Sequence, residues 1–160
     1  MKTDAVDAYA LCEFFYKEDF EPRKKRGIQL LNLRNLTRQH ESVTDQFVQI
    51  KLQFHAVLDQ VFPEYKGVFG DLYSVISLQT LLEFPTSEAV LSAGEAQLTE
   101  RIAILCPHRS EQWAKDKAQE LMAAATRNPF RKALFQSHLF SMSMYINMLL
   151  HYKKSIYQPS

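Results

Sequence analysis

From Leu33 to Val61 the apolar positions recur at alternating steps of three and four: Leu33, Leu36, His40, Val43, Phe47, Ile50, Phe54, Val57 and Val61. Only His40 is polar. Steps averaging about 3.5 residues keep one stripe turned toward a partner helix, so the spacing predicts a long helix with a coiled-coil seam. Val48, Leu52 and Leu58 widen the stripe, which suits a helix packed on more than one neighbour. Pro63 turns the preceding residue away from helical geometry and sets the end near Phe62. A second stripe, Phe135, Leu139, Met142, Ile146, Leu149 and, after Lys153, Ile156, steps four and three along residues 131–157.

Shorter helices fill the space between. Residues 71–84 read as one, capped by Asp71 and stopped by Pro85. Thr86 or Ser87 caps the next, which Gly94 closes. Residues 95–105 form a further short helix before Pro107. Ser110 caps a helix running to about Asn128, with Trp113, Ala114, Ala118, Leu121 and Met122 inward. At the start, residues 3–18 carry helical spacing (Val6, Tyr9 or Ala10, Phe14), and Pro22 and Gly27 predict a break over 19–27. No stretch alternates as a strand does. The pattern as a whole predicts an all-α fold, a long antiparallel coiled-coil helical hairpin with several short helices at one end. The expected segments are 1–18, a basic linker at 19–27, and the helical hairpin at 28–160.

Composition narrows the class. The chain has 160 residues, 46% hydrophobic and 23% charged, the proportions of a sequence that buries a core. Four glycines and six prolines are too few for the turns of a β-sandwich or barrel of this length. No GxGxxG or GxxxxGK cradle is present. Cys12 and Cys106 have no metal-spaced partner and are expected as buried, reduced thiols. The opening MKTDAVDAYALCEFF is interrupted by acids and does not read as a signal peptide, and no run approaches a membrane span, so the expected place is the cytoplasm with no membrane contact.

Charge is uneven although the net is only +1. Arg23, Lys24, Lys25, Arg26, Arg34 and Arg38 follow one another with no acid between Pro22 and Arg38. Such a surplus on one helix root suits phosphates through counterion release; its bland counterpart is a solvated charged face. Asp4 and Asp7, three apart, share a helical face and could share a divalent ion, although acids in a first turn also suit the helix dipole. His40 on the seam reads as a register-setting polar residue. His55, His108, His138 and His151 have no partner at metal spacing. The Met142, Met144, Met148, Tyr145 and Tyr152 group reads as core or interface.

Several segments, taken in order, resemble one family. The opening K-T-D-A-V-D-A-Y-A-L is similar to the K-x-D-x-x-D-A stretch that closes the nuclease domain of the DEDD transposases, insertion-sequence recombinases with a RuvC-like domain related to the Piv invertases. Residues 36–63, with Leu36-Thr37-Arg38-Gln39 and Val61-Phe62-Pro63-Glu64, resemble that family's long helix and its F-P-E end. Val68-Phe69-Gly70-Asp71-Leu72-Tyr73-Ser74, Ser77-Leu78, Phe84-Pro85-Thr86-Ser87-Glu88-Ala89, Lys117-Ala118 and Ala123-Ala124-Ala125 follow in its order, as does the long terminal helix.

The resemblance implies a four-acid site holding Mg²⁺ in an RNase H-like domain, and a coiled-coil linker to a domain with a catalytic serine. It implies dimers and tetramers on DNA, and in some members a structured guide RNA. Asp4 and Asp7 match the last two acids. The first Asp and the Glu would precede Met1. The expected reading is therefore a transposase fragment that contributes dimerisation and nucleic-acid contact, binds no metal alone and is catalytically incomplete. Leu36, Val43, Phe47, Ile50, Phe54, Val57, Val61, Leu139, Met142, Ile146 and Leu149 would form the seam that meets a second copy or a full-length transposase. Two other readings remain open: a stand-alone coiled-coil module that regulates a full-length transposase, and a helical nucleic-acid adaptor.

Overall fold

A computed structural model describes residues 21–130 and 136–157, with side chains from Gly27 onward and as far as Ser155. Within these residues every regular element is a helix, as the periodicity predicts. In order they are α1 (Glu21–Val61), a 3₁₀ turn (Pro63–Gly67), α2 (Val75–Glu83), α3 (Ser87–Leu105), α4 (Glu111–Arg127) and α5 (Gln136–Tyr157). The expected helix over 3–18 and the first residues of the last helix, 131–135, lie outside the described residues.

α1 is 41 residues long and begins at Glu21, so the break expected across 19–27 is helical from that residue on. Pro22 sits in the first turn, where the missing amide would have had no partner in any case and the fixed φ suits a helix. Gly27 is tolerated within the helix at a cost of about 1 kcal/mol relative to Ala. At the other end Pro63 stops α1 as expected, and Phe62 N still donates to Leu58 O at 2.7 Å.

The chain divides into two compact units, residues 1–45 and 46–160, and the division falls inside α1. In the first unit the described residues are the helix from Glu21 to Asp45.

The second unit is built round the last turns of α1. Phe54, Leu58, Val61 and Phe62 are buried there together with Tyr65, Val68 and Phe69 from the 3₁₀ turn and the segment after it. α2 adds Leu78 and Leu81, α3 adds Val90, Leu98 and Ile102, and α5 adds Met142, Ile146 and Leu149. α4 contributes Leu121 and four alanines, Ala114, Ala118, Ala124 and Ala125. Those small side chains let the α4 backbone pack closely on α3. Trp113 and Met122, expected inward on α4, are half-buried against the same core.

Capping follows local chemistry with one difference from expectation. Ser110 accepts from Trp113 N at 3.2 Å and Thr86 accepts from Ala89 N at 3.1 Å, as their side chains predict. α2 is capped by Ser74, whose Oγ accepts from Ser77 N at 3.3 Å, and not by Asp71. Asp71 instead accepts from Tyr73 N at 3.0 Å and holds the turn that precedes the helix. Gly94 interrupts α3 with φ 77° and ψ 167°, so the two short helices expected on either side of it meet across a kink.

Long-range polar contacts close the unit. The Tyr65 phenol donates to Ser77 O at 2.6 Å. Lys117 Nζ donates to Val68 O at 2.8 Å and to Glu120 at 2.7 Å. Arg101 grips both oxygens of Glu83, at 2.8 and 2.6 Å, and holds that carboxyl below the usual carboxylate range.

α5 meets α2 at backbone distance. It reaches α1 through long side chains: the Phe47 and Tyr152 rings lie 5.5 Å apart, and Tyr152 Oη lies 3.3 Å from Gln46 Oε1. The antiparallel hairpin expected from the two seams is compatible with these contacts, and α5 also packs on the short helix α2.

Candidate assembly and nucleic-acid interface

The heptad stripe of α1 changes character along its length. Phe54 and Val61 are buried, Phe47, Ile50 and Val57 are half-buried, and Leu33, Leu36, His40 and Val43 face solvent. Leu33 is 60% exposed and Leu36 is 62% exposed, whereas Phe54 is 0% exposed on the same stripe. On α5 the stripe is covered: Met142, Ile146 and Leu149 are buried and Leu139 half-buried. Seam residues of one periodicity therefore have two fates. Those in the second unit make its core, and those in the first remain uncovered.

The first unit carries more uncovered apolar surface than the seam alone. Ile28, Leu30 and Leu31 are also exposed. At about 100° per residue these three, with Leu33 and Leu36, point in directions spread right round the helix. An isolated helix does not gain stability from such a pattern, because it leaves apolar area in water on every side. A shallow groove of about 600 Å³ lies along Leu36, Thr37, Gln39, His40 and Val43. The hydroxyls of Thr37 and Thr44 fold back on Leu33 O and His40 O, at 2.9 and 2.8 Å, which satisfies them within the helix.

Arg34 and Arg38 are exposed one helical turn apart. They stand about 160–200° round the helix from Leu36 at 100° per residue, so the guanidiniums face away from the seam residues Leu36 and Val43, on the side that also carries Leu30 and Leu31. Arg23, Lys24, Lys25 and Arg26 lie in the first turns of α1, and their side chains are outside the described residues. Asp4 and Asp7 are outside them as well.

The Mg²⁺ implied by the resemblance needs more donors than two aspartates, since a two-metal site places its ions roughly 4 Å apart between several carboxylates. Among the described residues no group of three or more His, Cys, Asp or Glu side chains could hold an ion. Asp4 and Asp7, the acids that match the family's motif, lie outside the described residues, and no chemical step is derived through the group. Cys106 is a free, half-buried thiol. Among the described residues no helix is long and apolar enough to cross a membrane.

Sequence reasoning missed a small cluster at the start of the second unit. The Lys51 ammonium lies over the Phe47 ring at 4.5 Å and over the Tyr73 ring at 4.7 Å, and the Tyr73 hydroxyl donates to Lys51 O at 3.4 Å. Burial, and next the Asp71 carboxylate, push the Tyr73 phenol up from its ordinary value. The signal was present as a lone lysine one turn after a seam phenylalanine, which is invisible without the fold.

A family model of DEDD transposases of the IS110 type, described as Transposase, matches residues 1–63. No curated protein and no solved structure matches the chain. The matched segment holds the opening Asp4–Asp7 motif, the basic stretch and all of α1 with its F-P end. The likeness traced from Val68 to the terminal helix lies beyond it. The match supports a transposase-related reading of the matched segment. The first 63 residues, which carry the opening acids and the whole of α1, are similar to the DEDD transposases of insertion sequences.

Proposed function

We propose that this chain serves DNA transposition as an assembly and nucleic-acid-contact element of a DEDD transposase, not as a self-sufficient nuclease. The observation that carries the reading is the two-sided helix within the matched segment. Leu33, Leu36 and Val43 are uncovered on one side of α1, and Arg34 and Arg38 on the other. A second α1, from another copy or from a full-length transposase, would bury the seam at about 25 cal/mol per Å² of apolar area. The arginines would stay outward, where they and Arg23, Lys24, Lys25 and Arg26 meet phosphates. DNA is the main partner. A structured guide RNA is the second nucleic acid that the resemblance implies. Asp4 and Asp7 match the family's last two acids and would serve a metal only with ligands added to theirs.

The half-burial of Phe47 against Tyr152 decides which residues test this. An acidic residue at Phe47 would damage the chain's own packing as well as any interface. Leu36→Glu with Val43→Glu leaves that packing alone. Sedimentation of wild type is expected to show a dimer that the double variant loses, with an unchanged helical spectrum. A wild type that stays monomeric at the highest soluble concentration would remove the assembly role. In a binding assay on mixed-sequence DNA and on hairpin RNA, Arg34→Gln with Arg38→Gln is expected to weaken affinity and flatten its salt dependence. A Mg²⁺-dependent nuclease assay is expected to show no turnover. Turnover lost on Asp4→Ala or Asp7→Ala would overturn the division of labour.

A further inference from the structure

We infer that the C-terminal part of α5 carries a second phosphodiester contact, in which Lys153 and Lys154 hold the nucleic-acid backbone over a cavity beside residues 71–74. The inference rests on the nucleic-acid reading above and adds a site in the other unit, with residues that reading does not use.

Three observations converge. The first is charge distribution. The forty residues from Leu121 to Ser160 contain five cations, Arg127, Arg131, Lys132, Lys153 and Lys154, and no acid. A segment that long without a carboxylate keeps its positive potential, because nothing along it neutralises the lysines. The surplus at Arg23–Arg38 hides this one in any overall count, since the acids concentrate between them.

The second is pairing. Lys66, Arg101, Lys117 and Arg127 each have a carboxylate partner in the second unit. Lys51 is taken up by two aromatic rings. Lys153 and Lys154 have no ion pair among the described residues, although both line one cavity.

The third is that cavity, of about 480 Å³, between the turn before α2 and the end of α5. Ser74 and Gln79 add neutral polar groups to its wall. The Ser74 oxygen already accepts from Ser77 N at 3.3 Å, so its own proton is available to an acceptor in the cavity. Asp71 is the one acid in the wall, and its Oδ1 accepts from Tyr73 N at 3.0 Å. Two ammonium groups against one carboxylate leave the wall positive. Tyr73 lies within the same turn, with the Lys51 ammonium over its ring at 4.7 Å, and Tyr152 precedes Lys153 on α5. Lysines interleaved with tyrosines are the surface that tracks a nucleic-acid backbone.

The test uses the whole chain and fluorescence anisotropy with a mixed-sequence 30-base-pair duplex across a range of salt. Lys153→Gln with Lys154→Gln is expected to reduce the slope of log K against log salt by about 1.8, or 0.9 per phosphate released, and to weaken binding roughly tenfold at moderate salt. Both lysines are solvent-facing enough that folding should persist, which thermal melting checks. Arg34→Gln with Arg38→Gln, in the other unit, should add to this loss independently. If the arginine variant weakens binding and the lysine variant changes neither slope nor affinity, this site is refuted while the nucleic-acid reading stands. If wild type binds no nucleic acid, both fall. Displacement of the duplex from wild type by millimolar inorganic phosphate or by polyglutamate, equally well in the lysine variant, would also refute it as a general anion patch. Displacement that disappears in the lysine variant would refute it as a free-anion pocket.

Discussion

Asn128, the residue after α4, donates from its side-chain amide to the carbonyl of Val61, the last residue of α1, at 3.2 Å. The same nitrogen lies 3.1 Å from Ser87 Oγ at the start of α3. One amide therefore joins three helix ends that are 41 and 67 residues away in sequence. The Val61 carbonyl is among those a helix end leaves without an intrahelical donor, and Pro63 two residues on brings no amide of its own.

Asn128→Ala is expected to cost about 1–3 kcal/mol, the penalty for a buried acceptor left without a donor. Urea unfolding of the wild type and variant measures it. Asn128→Asp should cost at least as much, because it replaces the donor with a second acceptor. Equal stability of all three proteins would mean that the contact does not hold the helix ends together.

Tyr65→Phe tests a second buried bond and sets the behaviour in alkali. Tyr65 is buried and its phenol donates to Ser77 O. Burial pushes the phenol well above its ordinary value, outweighing the Ser77 contact that pulls it down. The folded state therefore keeps its proton where the unfolded chain releases it. Stability is intact below about pH 10 and falls as pH rises above it, by up to about 1.4 kcal/mol per pH unit, until the folded phenol itself ionises. Tyr65→Phe should cost about 1 kcal/mol at neutral pH and flatten that alkaline fall. Denaturation curves at pH 8 to 11 show whether the slope depends on this residue.

Gly94→Ala separates a real kink from a straight helix. The glycine has φ 77° and ψ 167°, a region almost closed to residues with a Cβ. An added Cβ would meet nothing within 4 Å, so the cost is backbone strain and not crowding. The variant should lose about 1–3 kcal/mol. A gain of stability would mean α3 runs straight through this position, since Ala is the better helix former.

Much of this fold is legible in the residues because apolar spacing and caps act locally. The alternating steps from Leu33 to Val61, the Ser110 and Thr86 caps, and the stops at Pro63 and Gly94 each place an element correctly. The misreadings have local causes too. Pro22 breaks a helix only in its interior, and here it lies in the first turn. Asp71 and Ser74 are equally good caps by type, and what separates them is that Asp71 is used by the Tyr73 amide. The site was less legible. Arg34 and Arg38 announce themselves beside a basic run, but Lys153 and Lys154 gain meaning only when α5 brings them to the turn before α2. Nor does spacing distinguish Leu36 from Phe54. Their difference depends on the short helices that cover one and not the other.

That difference supplies the last prediction. Leu36 and Phe54 occupy one stripe of one helix, yet Leu36 is exposed and Phe54 is fully buried beside Leu58 and Val61. Phe54→Ala removes a ring from a packed core and also its contact with Tyr73, 6.0 Å between centroids. It should destabilise the second unit by about 3–5 kcal/mol. Leu36→Ala removes a side chain already in water and should change the same unfolding transition by less than about 0.5 kcal/mol in dilute protein. At concentrations where the chain associates, the order should reverse for assembly. Leu36→Ala should weaken the dimer because the seam is the surface it buries, while any folded fraction of Phe54→Ala should associate as wild type does. Chemical denaturation at low concentration and sedimentation at high concentration, run on the same two variants, test both halves. A Leu36→Ala protein that unfolds as easily as Phe54→Ala would place Leu36 in the chain's own core and leave the first unit without a free seam.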